Sequence, residues 1–215
     1  MAVTLNSAGL LVNSTQFTTP PVDSGKQISI TTFTGSGTYT VPANCYRVLV
    51  QCVGGGGGSA GYCESGGAGG FSEGHFTVTP NAAIAVTVGG GGGGVGYYAG
   101  AGNGAASSFG SYLTASGGHG ANTNITHGGG HGGGASGGQI NLYGGSGTGH
   151  TNHGAHAQDG AGGGSYFGGP GGQNRTTTPT NFSPSPGSGA TGGRCDDGGS
   201  GTTGAGGLVI VYAYT

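Results

Sequence analysis

The stretch Gly189–Gly207, GATGGRCDDGGSGTTGAGG, decides how this chain is read. Every third residue from its start gives Gly189, Gly192, Cys195, Gly198, Gly201, Gly204 and Gly207, a row that only Cys195 interrupts. A three-residue period belongs to the extended polyproline-II-type helix, which rises about 3.1 Å per residue and has no internal hydrogen bonds. Its backbone N–H and C=O groups point sideways and need outside partners. A ridge without side chains lets another such helix approach closely enough to be that partner.

Upstream the same period recurs. Gly90, Gly93, Gly96, Ala99, Gly102 and Ala105 form a row of small residues, and Gly160, Gly163, Tyr166, Gly169 and Gly172 run beside Gly162, Ser165, Gly168 and Gly171. All but four of the 60 glycines, Gly9, Gly25, Gly35 and Gly37, fall between Gly54 and Gly207. Glycine loses more backbone freedom on folding than any other residue, so low-complexity disorder is the competing expectation. Good strands bracket the glycine body, which favours a packed bundle of polyglycine-II helices held by backbone hydrogen bonds, with little oil in it.

The strands are read from alternation. Tyr46, Val48, Val50 and Cys52 alternate with Arg47, Leu49, Gln51 and Val53, so the first set is expected to face a core. Thr31–Thr34 and Thr38–Val41 flank a Gly-Ser-Gly turn, and His75–Thr79 and Ile84–Val88 meet at Pro80-Asn81. A short strand is expected within Ser107–Thr114, and Leu208–Tyr214 alternates at the end of the chain. No segment has helical periodicity. The expected fold is mainly β and irregular: a small antiparallel β-sandwich base with polyglycine-II helices inserted, and no α-helix of note. Residues 1–30 read as an attachment or oligomerisation arm, since Pro20, Pro21 and Gly25 mark a linker and the arm is too short to fold alone. Residues 31–215 form the second domain.

Charge bounds the function. Charged residues are 5% of the chain and the net charge is −2, with only Lys26, Arg47, Arg175 and Arg194 basic. That argues against nucleic acid as a partner. No stretch approaches the ~18 apolar residues of a membrane span, and Met1–Leu10 lacks the basic start and apolar core of a signal peptide. Cys45, Cys52, Cys63 and Cys195 have no zinc-ligand spacing. Cys45 and Cys52, placed on one strand seven residues apart, are expected on opposite faces. Cys63 and Cys195 could pair if their glycine segments are neighbours, but four small buried thiols is the favoured reading.

The blocks TFTGSGTYTVP, RVLVQCVGGGGG, GGFSEGHFTVTPNAAIAVTVGGGG, GNGAASSFGSYLTASGG and GAGGLVIVYAY, in this order, resemble the glycine-rich domain at the ends of bacteriophage tail fibres. The resemblance covers roughly Thr31 to Tyr214 and extends to the distal adhesins of T-even-type phages. It implies a glycine-helix sandwich that presents variable loops to a bacterial surface receptor, protein or glycan, and a place at the distal tip of the fibre in the virion. Those adhesins are longer and cap a separate fibre protein, whereas this chain carries its own short arm. Other tail proteins are thus expected to bind through residues 1–30, with a homotrimer as the alternative use of the arm.

Catalysis finds no footing. Gly57-Gly58-Ser59-Ala60-Gly61 and Gly134-Ala135-Ser136-Gly137-Gly138 match the hydrolase G-x-S-x-G pattern, but a chain this rich in glycine yields such matches by chance and neither opens a helix. No glycine run continues into a phosphate loop. The expectation is a non-enzymatic protein without a cofactor. Histidine is the anomaly: His119, His127, His131, His150, His153 and His156 crowd one region. The last three, spaced by three, would stand about 9 Å apart along one helix face, too far to share a zinc ligated at ~2.0–2.1 Å. No metal is therefore expected, although a site between neighbouring helices stays open. Receptor contact is expected from these imidazoles and from the aromatic interruptions Tyr97, Tyr98, Tyr166 and Phe167. Asn174, Arg175 and Phe182, in the glycine-poor Gln173–Ser188, complete the set. Two rival readings are a purely connecting tail-fibre component and, less favoured, an ice-binding glycine-helix protein.

Overall fold

Alternating apolar residues build the base of the molecule. The computed structural model describes residues 4–6, 9–12, 15–16, 25–61, 63–96, 99–122, 128–149, 160–169, 185–193 and 200–215. Three short strands, β1 (Thr4–Asn6), β2 (Gly9–Val12) and β3 (Thr15–Gln16), form an antiparallel sheet in the arm. The remaining strands are β4 (Gln27–Phe33), β5 (Gly37–Thr40), β6 (Arg47–Val53), β7 (Phe71–Thr77), β8 (Ala83–Thr87), β9 (Ser107–Phe109), β10 (Leu113–Ala115), β11 (Ala135–Ser136), β12 (Ile140–Leu142) and β13 (Leu208–Tyr214). They make two five-stranded antiparallel sheets, ordered β12-β7-β6-β13-β4 and β11-β10-β9-β8-β5. No helix occurs among the described residues.

One face of each sheet supplies the core. Val48, Val50 and Cys52 of β6 and Val209, Val211 and Ala213 of β13 pack against Tyr39, Ile84, Val86, Phe109 and Leu113 of the second sheet. This is the sandwich that the alternation predicts. Tyr46 departs from it: it precedes β6 and is exposed. The Gly-Ser-Gly turn also does a different job from joining two paired strands. β4 pairs with β13 and β5 with β8, so the turn carries the chain from one sheet to the other. Phe33 and Tyr39 then meet edge to face, with ring centroids 6.4 Å apart. Cys45 and Cys52 do not face opposite sides: Cys45 lies ahead of β6, where strand alternation does not apply, and both free thiols are buried in the one core.

The glycine body is a lattice of ten extended runs: I (54–60), II (64–70), III (89–95), IV (101–105), V (116–121), VI (130–134), VII (144–148), VIII (160–164), IX (187–193) and X (201–207). Run I displays the three-fold logic. Gly54 and Gly57 donate to Gly70 and Gly67 of run II, Gly55 and Gly58 to Ala105 and Gly102 of run IV, and Gly56 and Ser59 to Ala205 and Thr202 of run X. Its carbonyls accept from Gly92 and Val95 of run III, Gly118 and Ala121 of run V, and Ala190 and Gly193 of run IX. Six neighbours surround it, each met every third residue. Run II is enclosed in the same way by runs I, V, VI, VII, VIII and IX.

The other eight runs close a ring around this pair. Hydrogen bonds join III to IV (Ala105 to Gly90), IV to V (Gly104 to Gly118), V to VI (Ser116 to Gly134) and VI to VII (Gly147 to Gly130). They continue from VII to VIII (Gly145 to Gly164), VIII to IX (Gly189 to Gly163), IX to X (Ala205 to Ser188) and back to III (Gly204 to Gly92). Two enclosed rods and a ring of eight is hexagonal packing, the arrangement in which a three-fold helix can direct donors and acceptors to six sides. Glycine is demanded by proximity. A Cβ at Gly56, Gly57 or Gly58 would run into the carbonyl of Ser188, His119 or Gly93. The row Gly90, Gly93, Gly96 behaves differently from expectation: a Cβ at any of the three would meet nothing within 4 Å. That ridge of run III faces outward.

Cys63 corrects the reading of four free thiols, because it is disulfide-bonded. Its N–H donates to Gly193 of run IX, so the first turn of the lattice lies against the end of run IX. Cys195, the one remaining cysteine, lies outside the described residues.

Candidate functional site

The direction of each run decides where the loops gather. Paired bonds such as Gly54 to Gly70 and Gly57 to Gly67 make runs I and II antiparallel, and the same test makes each consecutive pair from III–IV to IX–X antiparallel. Runs I, III, V and VII start after β6, β8, β10 and β12 with at most one residue between, while runs II, IV, VI and X end before β7, β9, β11 and β13 with at most one residue between. One end of the lattice therefore rests on the sandwich. The other end collects five connections: I to II, III to IV, V to VI, VII to VIII and IX to X. Backbone hydrogen bonds fix the last residue of each run, so every loop starts and finishes from a set position.

Against this frame the expected receptor residues divide. Tyr97, Tyr98, His127, His150, His153 and His156 lie outside the described residues, and the runs that flank them end at the far rim. His119 of run V and His131 of run VI are described and exposed, close to that rim. Run V donates from the His119 N–H to the His131 carbonyl at 2.9 Å, and the two imidazoles stand edge to face with centroids 6.5 Å apart. Neighbouring runs thus bring together two histidines that are twelve residues apart in sequence. No group of three or more His, Cys, Asp or Glu able to hold a metal occurs among the described residues.

Tyr166 and Phe167 sit at the opposite end, after run VIII, beside the sandwich. Tyr166 stacks on Phe71 of β7 at 3.6 Å, and Phe167 meets Phe71 edge-on at 5.9 Å. Phe71 is buried as a result, although Tyr166 stays half-exposed. Asn174, Arg175 and Phe182 lie outside the described residues, in a segment whose flanks, Gly169 and Ser185, are at this sandwich end. Glu64, fully buried at the first far-end turn, was not singled out from sequence. A carboxylate next to Cys63 in a glycine segment was the only available signal for it.

The sandwich contributes stability rather than reactivity. Burial pushes the Cys52 thiol up to about 12, despite an opposing backbone hydrogen bond from Ala115. Such a thiol is inert at neutral pH. Burial raises the Tyr39 phenol as well, with the nearby Cys45 adding to the effect.

Two comparisons with known proteins complete the picture. No curated protein matches the chain. The family model of the glycine-rich domain matches residues 31–214, which begin within β4 and end at the last residue of β13. This chain therefore belongs to the glycine-rich domain family.

Proposed function

We propose that this protein is a bacteriophage tail-fibre tip, a non-enzymatic adhesin that binds a host-surface receptor through loops at the far end of its lattice. The observation that carries the reading is polarity. Gly25 and Lys26, where the arm joins the body, bond to Thr215 at the end of β13, the pole of the sandwich away from the lattice. Attachment through residues 1–30 and recognition through the five far-end connections thus fall at opposite ends. Loop sequences can vary there without disturbing the backbone lattice beneath them. Several copies on one virion would convert weak single contacts into firm adhesion.

The test separates the two ends. Tyr98→Ala and His153→Ala, between far-end flanks, should reduce binding of the purified protein to host cells while the melting temperature stays within a few degrees. Phe167→Ala should lower the melting temperature, because Phe71 loses its cover, and leave binding unchanged below that temperature. Normal binding by both far-end variants would reject the adhesin reading in favour of a connecting role.

A further inference from the structure

The side wall of the lattice carries a row of side chains that no single run could assemble. Bonds from Gly104 to Gly118 and from Ala101 to Ala121 register run IV on run V and set Asn103 opposite His119. Bonds from Ser116 to Gly134 and from His119 to His131 set the two histidines opposite each other across runs V and VI. Gly147 to Gly130 and Gly144 to Gly133 then set Ser146 of run VII opposite His131. All four residues are exposed, so the row lies on the outer surface of the ring. The Asn103 side-chain carbonyl accepts from the Gly120 N–H at 2.9 Å, which ties it beside His119.

The pairing of imidazoles is confined to one level. Three residues along, the same ridges put Asn122 opposite Gly128 towards the rim and Ser116 opposite Gly134 towards the sandwich. His131 therefore stands on a stretch of run VI whose outward ridge has no other side chain. Along a single run, histidines three residues apart stand about 9 Å from one another. Across two hydrogen-bonded backbones the separation falls to about 5 Å. Both backbones are fixed by the lattice, so a ligand that joins the rings has only side-chain freedom left to restrict.

The geometry suits a metal ion. Imidazoles that share one ion at ~2.0–2.1 Å have centroids roughly 5–6 Å apart. His119 and His131 stand edge to face at 6.5 Å. Both rings are exposed, and a turn about χ1 or χ2 of either closes the difference. Imidazole nitrogen suits zinc, nickel and copper, whereas magnesium and calcium require oxygen ligands. We propose that His119 and His131 together bind one divalent transition-metal ion of the zinc, nickel and copper class on the side wall of the lattice. No third His, Cys, Asp or Glu joins them among the described residues, so this is an open site with water in its remaining positions. The bound ion cross-links runs V and VI close to where their connection leaves the lattice. It sits on the wall, apart from the five far-end connections, and its test does not depend on the adhesin reading.

The experiment titrates the chelator-treated full chain with zinc chloride while NMR follows the imidazole resonances. Those of His119 and His131 should move together with a shared midpoint, and magnesium chloride should move neither. His119→Ala should abolish the zinc response of His131 over the same range, and His131→Ala that of His119, because one imidazole alone holds the ion several-fold more weakly. Alanine keeps the backbone bond between the two positions, so both variants should melt within a few degrees of the parent without metal. His119→Asn and His131→Asn, which keep a polar side chain of similar reach, should reproduce the loss. A zinc response of His131 that survives His119→Ala unchanged would mean two separate imidazoles and would overturn the proposal. Zinc that moves neither resonance in the intact chain would overturn it as well.

Discussion

Sandwich and lattice solve the same folding problem with opposite materials. In the sandwich, order comes from side chains: Val50, Val211, Phe109 and Leu113 interlock while strand backbones stay a full sheet spacing apart. In the lattice, order comes from what the side chains leave vacant. Runs I and II are enclosed on six sides by peptide groups, and their glycines sit within collision range of neighbouring carbonyls. A single backbone hydrogen bond contributes only ~0.5–1.5 kcal/mol net. Stability therefore rests on many such bonds formed together, and one misplaced methyl disturbs several of them. Hydrophobic cores usually absorb a conservative swap, whereas a side chain should not be tolerated at those lattice positions whose missing Cβ faces a neighbouring backbone; Ser59, Ala60, Ser65 and Ala68 show that other ridges of the enclosed runs do carry one.

The largest expected effect follows from that difference. Gly201→Val places a branched side chain against the Ser59 carbonyl and the Val95 carbonyl at once, with backbone on both sides. Destabilisation of about 3 kcal/mol or more is expected by chemical denaturation, at the upper end of overpacking. A variant that denatures like the parent would mean that run X does not pack against run I. In the sandwich, Leu113→Ala leaves a cavity under Phe109 and should cost ~2–3 kcal/mol. Its loss should be partly recovered by Leu113→Met, a repacking for which the lattice has no counterpart.

A smaller, pH-dependent effect sharpens the contrast, since only the sandwich buries a titratable free thiol among the described residues. Cys52 stays protonated in the fold up to about 12, while the unfolded thiol ionises from its ordinary value of 9.0. The unfolded chain then binds fewer protons, so the contribution of this thiol is nil below pH 9 and lowers stability progressively between pH 9 and 12. Cys52→Val should flatten the onset of that decline, and an unchanged slope would show that the thiol is not buried as described.

Much of this was legible in the residues, and the failures have physical reasons. Period-three glycine rows pointed to the helix type, because an extended three-fold helix lines up every third residue on one ridge, whereas the 3₁₀-helix, which shares the period, seldom runs beyond a few residues. They could not reveal which ridge faces inward: in GGGGGG, residues 89–94, all three ridges are equally bare, and the row from Gly90 turned out to face open space. Alternation around Arg47–Val53 indicated the core face of that strand; in Leu208–Tyr214 both alternating sets are apolar, so the period alone left its core face open. It did not give their pairing, because β4 and β13 are brought together from opposite ends of the chain. Ala135–Ser136 and Ile140–Leu142 escaped as strands, being too short to show a period. Of the expected recognition residues, the aromatic pair Tyr166-Phe167 looked like any other interruption. Only the direction of run VIII assigned it to the sandwich end.

Glycine is required where a ridge of one run faces the backbone of a neighbouring run, and not where the ridge faces outward. Gly58 and Gly93 test it directly because they are neighbours in the same lattice. A Cβ on Gly58 would strike the Gly93 carbonyl, whereas a Cβ on Gly93 would meet nothing within 4 Å. Equilibrium denaturation of Gly58→Ala and Gly93→Ala should give opposite results from the same added methyl. Gly58→Ala is expected to lose ~1–3 kcal/mol through overpacking. Gly93→Ala should be neutral or gain about 0.4–1 kcal/mol, because alanine restricts the unfolded chain at no steric cost. Equal losses at both positions, or a harmless Gly58→Ala, would contradict the lattice.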